Sequence, residues 1–231
     1  MAKGRGMAAG GGVLVTAFEP FGGRRVNASM AFAADVVRRA GRGPGVVPRL
    51  GMAVLPVDHW RAAEVLARLV VARRPSTLVL TGEWSGPGWR LETVGRPGVM
   101  VPWAGAVRRG RWPMGATLRA AQARGVSMRA SGAAGLYVCD TTYWAGLGLA
   151  ASRVGGPACP ARVVFVHVPV LGPEAPRGAA ARALAAILRR VRRAPGPRFS
   201  GAADAPRGRD FRARPTRPCS DPSARPTRPG P

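Results

Sequence analysis

The chain has 231 residues, 46% of them hydrophobic, with 36 Lys and Arg against 11 Asp and Glu and a formal net charge of +25. That length suits one domain, or one domain with a tail, and that apolar content is enough for a sizeable core. No uninterrupted apolar run is long enough to span a bilayer, the apolar run after the glycine-rich start is too short for a signal-peptide core, and three cysteines at irregular spacing argue against a disulfide framework and a zinc site, so a reducing, cytoplasmic setting is the default expectation.

Val13-Leu-Val-Thr-Ala17 reads as a buried strand. It runs into Phe18-Glu-Pro-Phe-Gly-Gly23, a turn-rich loop. A helix is predicted next, with Asn27 or Ser29 near its start and Met30, Ala33, Ala34 and Val37 on one face. Met52 to Leu55 is a second strand, closed by Pro56. The following helix is more strongly marked: Ala62, Leu66, Leu69 and Val70 share one face, and Arg61, Glu64 and Arg68 another. Glu64 and Arg68 have the i,i+4 spacing of a weakly favourable ion pair. Pro75 stops this helix, Thr77 to Thr81 is a buried strand, and residues 82–88 are a loop. Leu91 to Val94 reads as a short strand, and residues 95–111 show no regular pattern. Met114 to Arg124 is a helix, Val126 to Ala130 a strand, and Cys139 to Ala151 a helix with an apolar face. Val163 to Val168 is a strand ended by Pro169, and a last helix runs from about Ala179 to Arg193, with Leu184, Ile187, Leu188 and Val191 at helical spacing. Strands alternating with amphipathic helices imply a single α/β domain over residues 13–193, a mostly parallel twisted sheet flanked by helices.

After Arg193 proline, arginine, glycine and serine dominate, and Ala-Arg-Pro-Thr-Arg-Pro occurs at Ala213–Pro218 and again at Ala224–Pro229. Such a segment cannot bury enough apolar surface to offset chain entropy. Residues 194–231 are therefore predicted to be a disordered basic tail, and residues 1–12 a flexible start. Lys3 is the only lysine, so nearly all the positive charge is arginine. The charge has two readings: a surface for nucleic acid or another polyanion, or an Arg/Ala/Gly/Pro-biased composition that fills exposed basic positions with arginine. The arginines are spread along the chain without interleaved aromatics, unlike a single-strand binding groove; non-specific anion binding by the tail fits either reading.

Three residue types carry candidate chemistry. Cys139, in Ala134-Gly-Leu-Tyr-Val-Cys-Asp140, sits at the start of a predicted helix, where backbone dipoles favour a thiolate; the alternative is a buried structural cysteine. Only His59 and His167 can serve as a histidine partner. His167 lies near the end of a valine-rich strand, where α/β proteins place their sites, or else it is a core histidine with satisfied nitrogens. Glu92 is a carboxylate in an apolar segment, which needs a partner if buried; an exposed glutamate beside an arginine is the alternative.

The flanking sequence narrows these choices. Residues 13–23 followed by Asn27-Ala-Ser29 resemble the opening of pyroglutamyl peptidase I (pyrrolidone-carboxylate peptidase). Residues 134–140 resemble its cysteine motif, Phe165-Val-His-Val-Pro169 its histidine motif, and residues 82–94 a degenerate form of its glutamate motif. The motifs occur in the family's order over about residues 13–191.

The resemblance implies a cysteine-type omega-exopeptidase that removes N-terminal pyroglutamyl residues from peptides and needs neither metal nor cofactor. It implies Cys139 as nucleophile, His167 as acid and base, and Glu92 holding the imidazole. It places Phe18, Phe21 and Tyr137 on the lactam ring, with Glu83 and Asn27 near it; core packing and helix capping are the plain alternatives for Phe18, Phe21 and Asn27. It gives the oxyanion to the Cys139 N–H, with Arg96 as a candidate second donor. It also implies assembly into a homo-oligomer, which the basic surface here opposes.

Some positions depart from the family pattern. Glu83 stands where the family has glutamine, Thr93 where an arginine follows the glutamate, and Asp140 where an asparagine follows the cysteine. The segment between Glu92 and Cys139 is shorter than usual. A carboxylate next to the thiol would raise its pKa, so a catalytically impaired or altered relative is an alternative to an active peptidase. A basic nucleic-acid-binding protein is a third reading.

Overall fold

The computed structural model describes residues 12–42, 46–47, 49–98, 107–110, 112–135, 137–152, 160–170 and 177–193. The predicted flexible start (except Gly12), the predicted tail, Cys159 and Cys219 lie outside them, as does the side chain of Val191.

Eight strands and five helices alternate along the described chain: β1 Gly12–Phe18, α1 Ala28–Ala40, β2 Leu50–Leu55, α2 His59–Arg73, β3 Pro75–Trp84, β4 Trp89–Glu92, β5 Val94–Gly95, β6 Arg108–Arg109, α3 Met114–Gln122, β7 Met128–Ser131, α4 Val138–Ala151, β8 Arg162–Pro169 and α5 Arg177–Arg193. Six strands form one sheet in the order β2-β1-β3-β8-β4-β7. The first four are mutually parallel. β4 runs antiparallel to β8 and parallel to β7. The α/β class and the mostly parallel sheet are thus as the pattern implied, with one antiparallel junction beside β8.

Period-two alternation sends each buried strand to both faces. Val13, Val15 and Ala17 of β1, with Val164, Val166 and Val168 of β8, join a core with α1 and α5. Leu14 and Phe18, with Val163 and Phe165, join a second core with α2 and α4. Strands buried on both sides read as continuous apolar runs, which is why β1 and β8 were visible in the sequence. In the first core Phe32 packs on Trp89 with ring centroids 4.7 Å apart. Two helices have side-chain caps of the type polar residues favour: Asn27 Oδ1 accepts from the Ser29 N–H at 2.9 Å and Asp58 Oδ1 from the Arg61 N–H at 2.7 Å. On α2, Ala62, Leu66 and Val70 are buried, and the Glu64–Arg68 pair forms at 2.6 Å.

Several boundaries move, each for a tertiary reason. Residues 82–84 are not loop: β3 stays paired with β8 as far as Trp84 opposite Pro169, so Gly82 marks a close contact rather than a turn. The short strand is Trp89–Glu92, and Val94 and Gly95 instead pair with Arg109 and Arg108 in a separate two-stranded unit inside the stretch without a pattern. The strand expected from Val126 begins at Met128, α3 ends at Gln122, and α5 begins at Arg177. On α1 the core face is Phe32, Ala33, Val36 and Ala40, while Ala34 is exposed, because Phe32 sets the i,i+4 row. Arg49 and Arg74 have left-handed backbone, φ 51° and 46°; Arg74 ends α2.

Phe32 is fully buried. Phe32→Ala should cost about 3–5 kcal/mol by loss of transfer energy and cavity formation, read as a lower urea midpoint at unchanged slope.

Candidate active site

The ends of β1, β3 and β8 and the starts of α1, α2 and α4 supply residues to one cavity of about 490 Å³. Ligand sites of open parallel sheets lie at such carboxyl ends. His167, near the end of β8, and Cys139, in the first turn of α4, both line it.

His167 Nδ1 lies 2.8 Å from Glu92 Oε1. The antiparallel register of β4 on β8 makes this contact, since Arg90 is paired with His167 and Glu92 with Phe165. Glu92 is 0% and His167 4% exposed. A carboxylate can only accept, so Nδ1 carries the hydrogen when the carboxylate is ionised and Nε2 is the ring nitrogen left for chemistry. The Tyr143 hydroxyl, from α4, donates to the Glu92 carbonyl at 3.1 Å, and the Phe165 ring packs on the imidazole with centroids 4.9 Å apart. Both hold the pair in place from the side.

Gly82 lets Cys139 pack closely on β3. It is the register partner of His167, and a Cβ at Gly82 would lie 2.7 Å from Cys139 Sγ and 2.9 Å from Phe165 Cζ. The sulfur rests on the bare backbone of β3, beside the strand that carries the histidine. Burial pushes the Cys139 thiol up to about 12, the Glu92 and Asp140 carboxylates add to the rise, and the Cys139 amide opposes it. The helix-start argument for a lowered pKa therefore fails in direction: in a dry site beside two carboxylates, desolvation and repulsion outweigh the dipole.

Asp140 is buried and accepts from the Arg96 N–H at 2.8 Å. Its carboxyl is raised, first by burial, with the Arg96 amide and guanidinium opposing. Arg96 Nη1 is 3.9 Å from Asp140 Oδ2, and Arg96 does not line the cavity. Arg96, expected as a second oxyanion donor, is thus placed against Asp140 and outside the cavity lining. Thr93 is spent on β7, its hydroxyl donating to the Ser131 carbonyl at 2.9 Å.

The other singled-out residues gather at the cavity. Phe18 is buried at its base and belongs to the α2/α4 core as well; Phe21 and Tyr137 line it and remain exposed at 41% and 77%. Asn27 lines it, caps α1, and donates from Nδ2 to the Glu19 carbonyl at 3.0 Å, so the loop role and the cap role coexist. Glu83 lines it with both oxygens engaged, Oε2 accepting the Ala28 N–H at 2.6 Å and Oε1 paired with Arg24.

Sequence reasoning missed further lining residues. His59 was named only as one of two histidines; it lines the cavity with Nδ1 3.0 Å from Thr141 Oγ1, and its position at the first turn of a helix after a strand was the available signal. Arg90 stacks on Trp84, 3.6 Å from its ring centroid, and both line the cavity; nothing in their local sequence announced the contact. Among the described residues no group of three or more His, Cys, Asp or Glu is placed to hold a metal ion, and no helix is long and apolar enough to cross a membrane.

No protein-family model matches the chain. Curated relatives do. The pyrrolidone-carboxylate peptidase of Thermococcus onnurineus is 30% identical over 183 residues, 71% of this chain and 86% of the relative. That of Gloeobacter violaceus is 30% identical over 198 residues, 78% of this chain and 92% of the relative. Among solved structures, the pyrrolidone carboxyl peptidase of Fervidobacterium islandicum AW-1 superposes with a TM-score of 0.63 at 24% identity, over 78% of this chain and 98% of that one. Pyroglutamyl peptidase I of Bacillus amyloliquefaciens gives 0.62 at 21%, over 78% and 94%. The structures establish a shared fold, and the identity and coverage of the curated relatives establish descent: the chain belongs to the pyrrolidone-carboxylate peptidase family.

Proposed function

We propose that the chain hydrolyses the bond after an N-terminal pyroglutamyl residue, with Cys139 as nucleophile, His167 as proton carrier and Glu92 as the group that orients it. The observation that carries this is the Glu92–His167 pair at 2.8 Å, with His167 lining one cavity with Cys139. The thiol is protonated at neutral pH, as its raised pKa requires, so its proton passes to His167 Nε2 as sulfur attacks the pyroglutamyl carbonyl. Glu92 stabilises the imidazolium that results. The Cys139 N–H, at the start of α4, is the donor available to the developing oxyanion. The tetrahedral species collapses, His167 returns the proton to the leaving amine, and a water activated by His167 then releases pyroglutamate from sulfur. Phe18, Phe21 and Tyr137 offer apolar surface to the lactam ring. Glu83, neutralised by Arg24 and the Ala28 N–H, does not present a free charge to it.

The Cys139 environment also favours a second reading, a relative of low or altered activity: the buried Asp140 adds its charge to that of Glu92 against the thiolate.

The deciding measurement is release of a fluorophore from a pyroglutamyl amide. Wild type should turn over, and Cys139→Ala should fall to background; equal activity in the two proteins would overturn the assignment. Glu92→Gln should lose about 10²–10⁴-fold in kcat, because His167, the acid and base, loses the carboxylate that orients it and stabilises its charged form. Iodoacetamide labelling of Cys139 should be slow at pH 7 and speed up with rising pH toward the thiol's own pKa, because the thiolate fraction grows about tenfold per pH unit there. Asp140→Asn removes one repelling carboxylate, so labelling at pH 7 should quicken about two- to tenfold; if the low-activity reading holds, turnover rises in parallel. Gly82→Ala should displace Cys139 or Phe165 and cost about 1–3 kcal/mol, seen as lost kcat in a protein that still melts cooperatively.

A further inference from the structure

A second cavity, of about 400 Å³, opens on the layer formed by α1, α3 and α5 and shares no residue with the first. Six arginines line it: Arg38, Arg39 and Arg42 at the end of α1, Arg124 in the turn after α3, and Arg182 and Arg189 on α5. Ala185 and Ala186 complete the lining. On α5 the positions 182, 185, 186 and 189 form one stripe at i, i+3, i+4 and i+7, so two small residues separate two long cationic ones and leave the hollow between them.

No acidic residue lines this cavity. Asp35, outside the lining, is shared between the lining Arg38 and Arg177. Arginines elsewhere in the described chain have partners of their own. Arg68, Arg24 and Arg96 face carboxylates, and Arg90 and Arg108 lie over tryptophan rings. The favourable effect of cations at a helix C-terminus accounts for Arg38 and Arg39 on α1 and for Arg124 after α3, but not for Arg182, which lies in the first half of α5, nor for the three helices turning these groups to one hollow. Arginine-rich composition accounts for their number, not for their convergence around one hollow in which, among the described residues, only Arg38 faces a carboxylate.

The donors are partly fixed. Arg189 Nη2 donates to the Arg39 carbonyl and, at 2.8 Å, to the Arg42 carbonyl; Arg124 Nη1 donates to the Ala120 carbonyl at 2.9 Å. Each guanidinium has five N–H donors in a planar fork, so donors remain on both groups after these bonds. The Nε–H groups of Arg39 and Arg189 are buried without an acceptor among the described residues.

We propose that this cavity binds a small, multiply charged phosphate anion of the pyrophosphate or triphosphate class. Guanidinium forks match phosphate oxygens bidentately, and the hollow falls in the size range of small-molecule sites. No aromatic residue lines it for a nucleobase to stack on, which separates it from a single-strand groove. The inference is independent of the peptidase reading, since it uses none of the same residues.

The test is calorimetric titration of the full chain with inorganic tripolyphosphate at about 0.15 M salt, where long-range surface attraction is largely screened. Arg124→Glu/Arg182→Glu reverses two exposed side chains of the cavity; Arg61→Glu/Arg129→Glu makes the same change of net charge away from it. One ion per chain is expected, with affinity at least about tenfold weaker in the cavity pair and unchanged within about twofold in the control pair. Should the double reversal not fold, Arg182→Ala with a smaller loss in the same direction serves instead, together with an anion-dependent rise in Tm that it reduces. An ATP arm tells a nucleotide from an inorganic source: tighter binding of ATP, still lost in the cavity pair, assigns the nucleotide. No binding by wild type, equal weakening in both pairs, or many ions per chain would overturn the site. A single-stranded oligonucleotide that outcompetes tripolyphosphate with the same dependence on Arg124 and Arg182 would overturn it in favour of nucleic acid.

Discussion

Glu92 is completely sealed from solvent, and a sealed carboxylate is strongly unfavourable unless something answers its charge. His167 answers it at 2.8 Å. That contact needs β4 beside β8, and β4 reaches this place only by running against the direction of the four parallel strands. The polar pair thus sits at the one antiparallel junction of this sheet. The second carboxylate oxygen, Oε2, has no partner among the described residues, so the pairing with the imidazole carries most of the compensation. Removing either member would leave the other buried and unanswered, which is the expensive way to break such a pair.

The same carboxylate works against the sulfur. Glu92 disfavours a charged thiol at Cys139, and Asp140 adds to the effect. Gly82 makes the crowding possible, since any side chain there would occupy the space of the sulfur and the Phe165 ring.

Much of this arrangement was legible in the sequence. The doubly buried strands appear as apolar runs, α2 and α5 as helical rows, and the motifs around residues 18, 139 and 167 carry side chains that do meet at one cavity. What was not legible is what depends on distant partners. Gly82 looks the same in sequence whether it turns the chain or lets another chain segment approach, and only the pairing of β3 with β8 decides between them. The antiparallel placement of β4 leaves no local mark. For Cys139 the helix start and Asp140 are both local and point in opposite directions; burial and the charge of Glu92, which are not local, decide the outcome upward. Arg96 fell in a stretch with no periodicity, so its partnership with Asp140 had no signal at all.

Two arginines, 49 and 74, hold backbone angles that glycine adopts without penalty and that cost an L-residue with a Cβ about 1–2 kcal/mol. Helices very commonly end on glycine where Arg74 closes α2. The enrichment in arginine thus reaches past solvent-facing side chains into main-chain geometry, and the molecule gives up folding free energy for it. Placing glycine at these two positions is a route to a hardier scaffold that changes no residue lining either cavity.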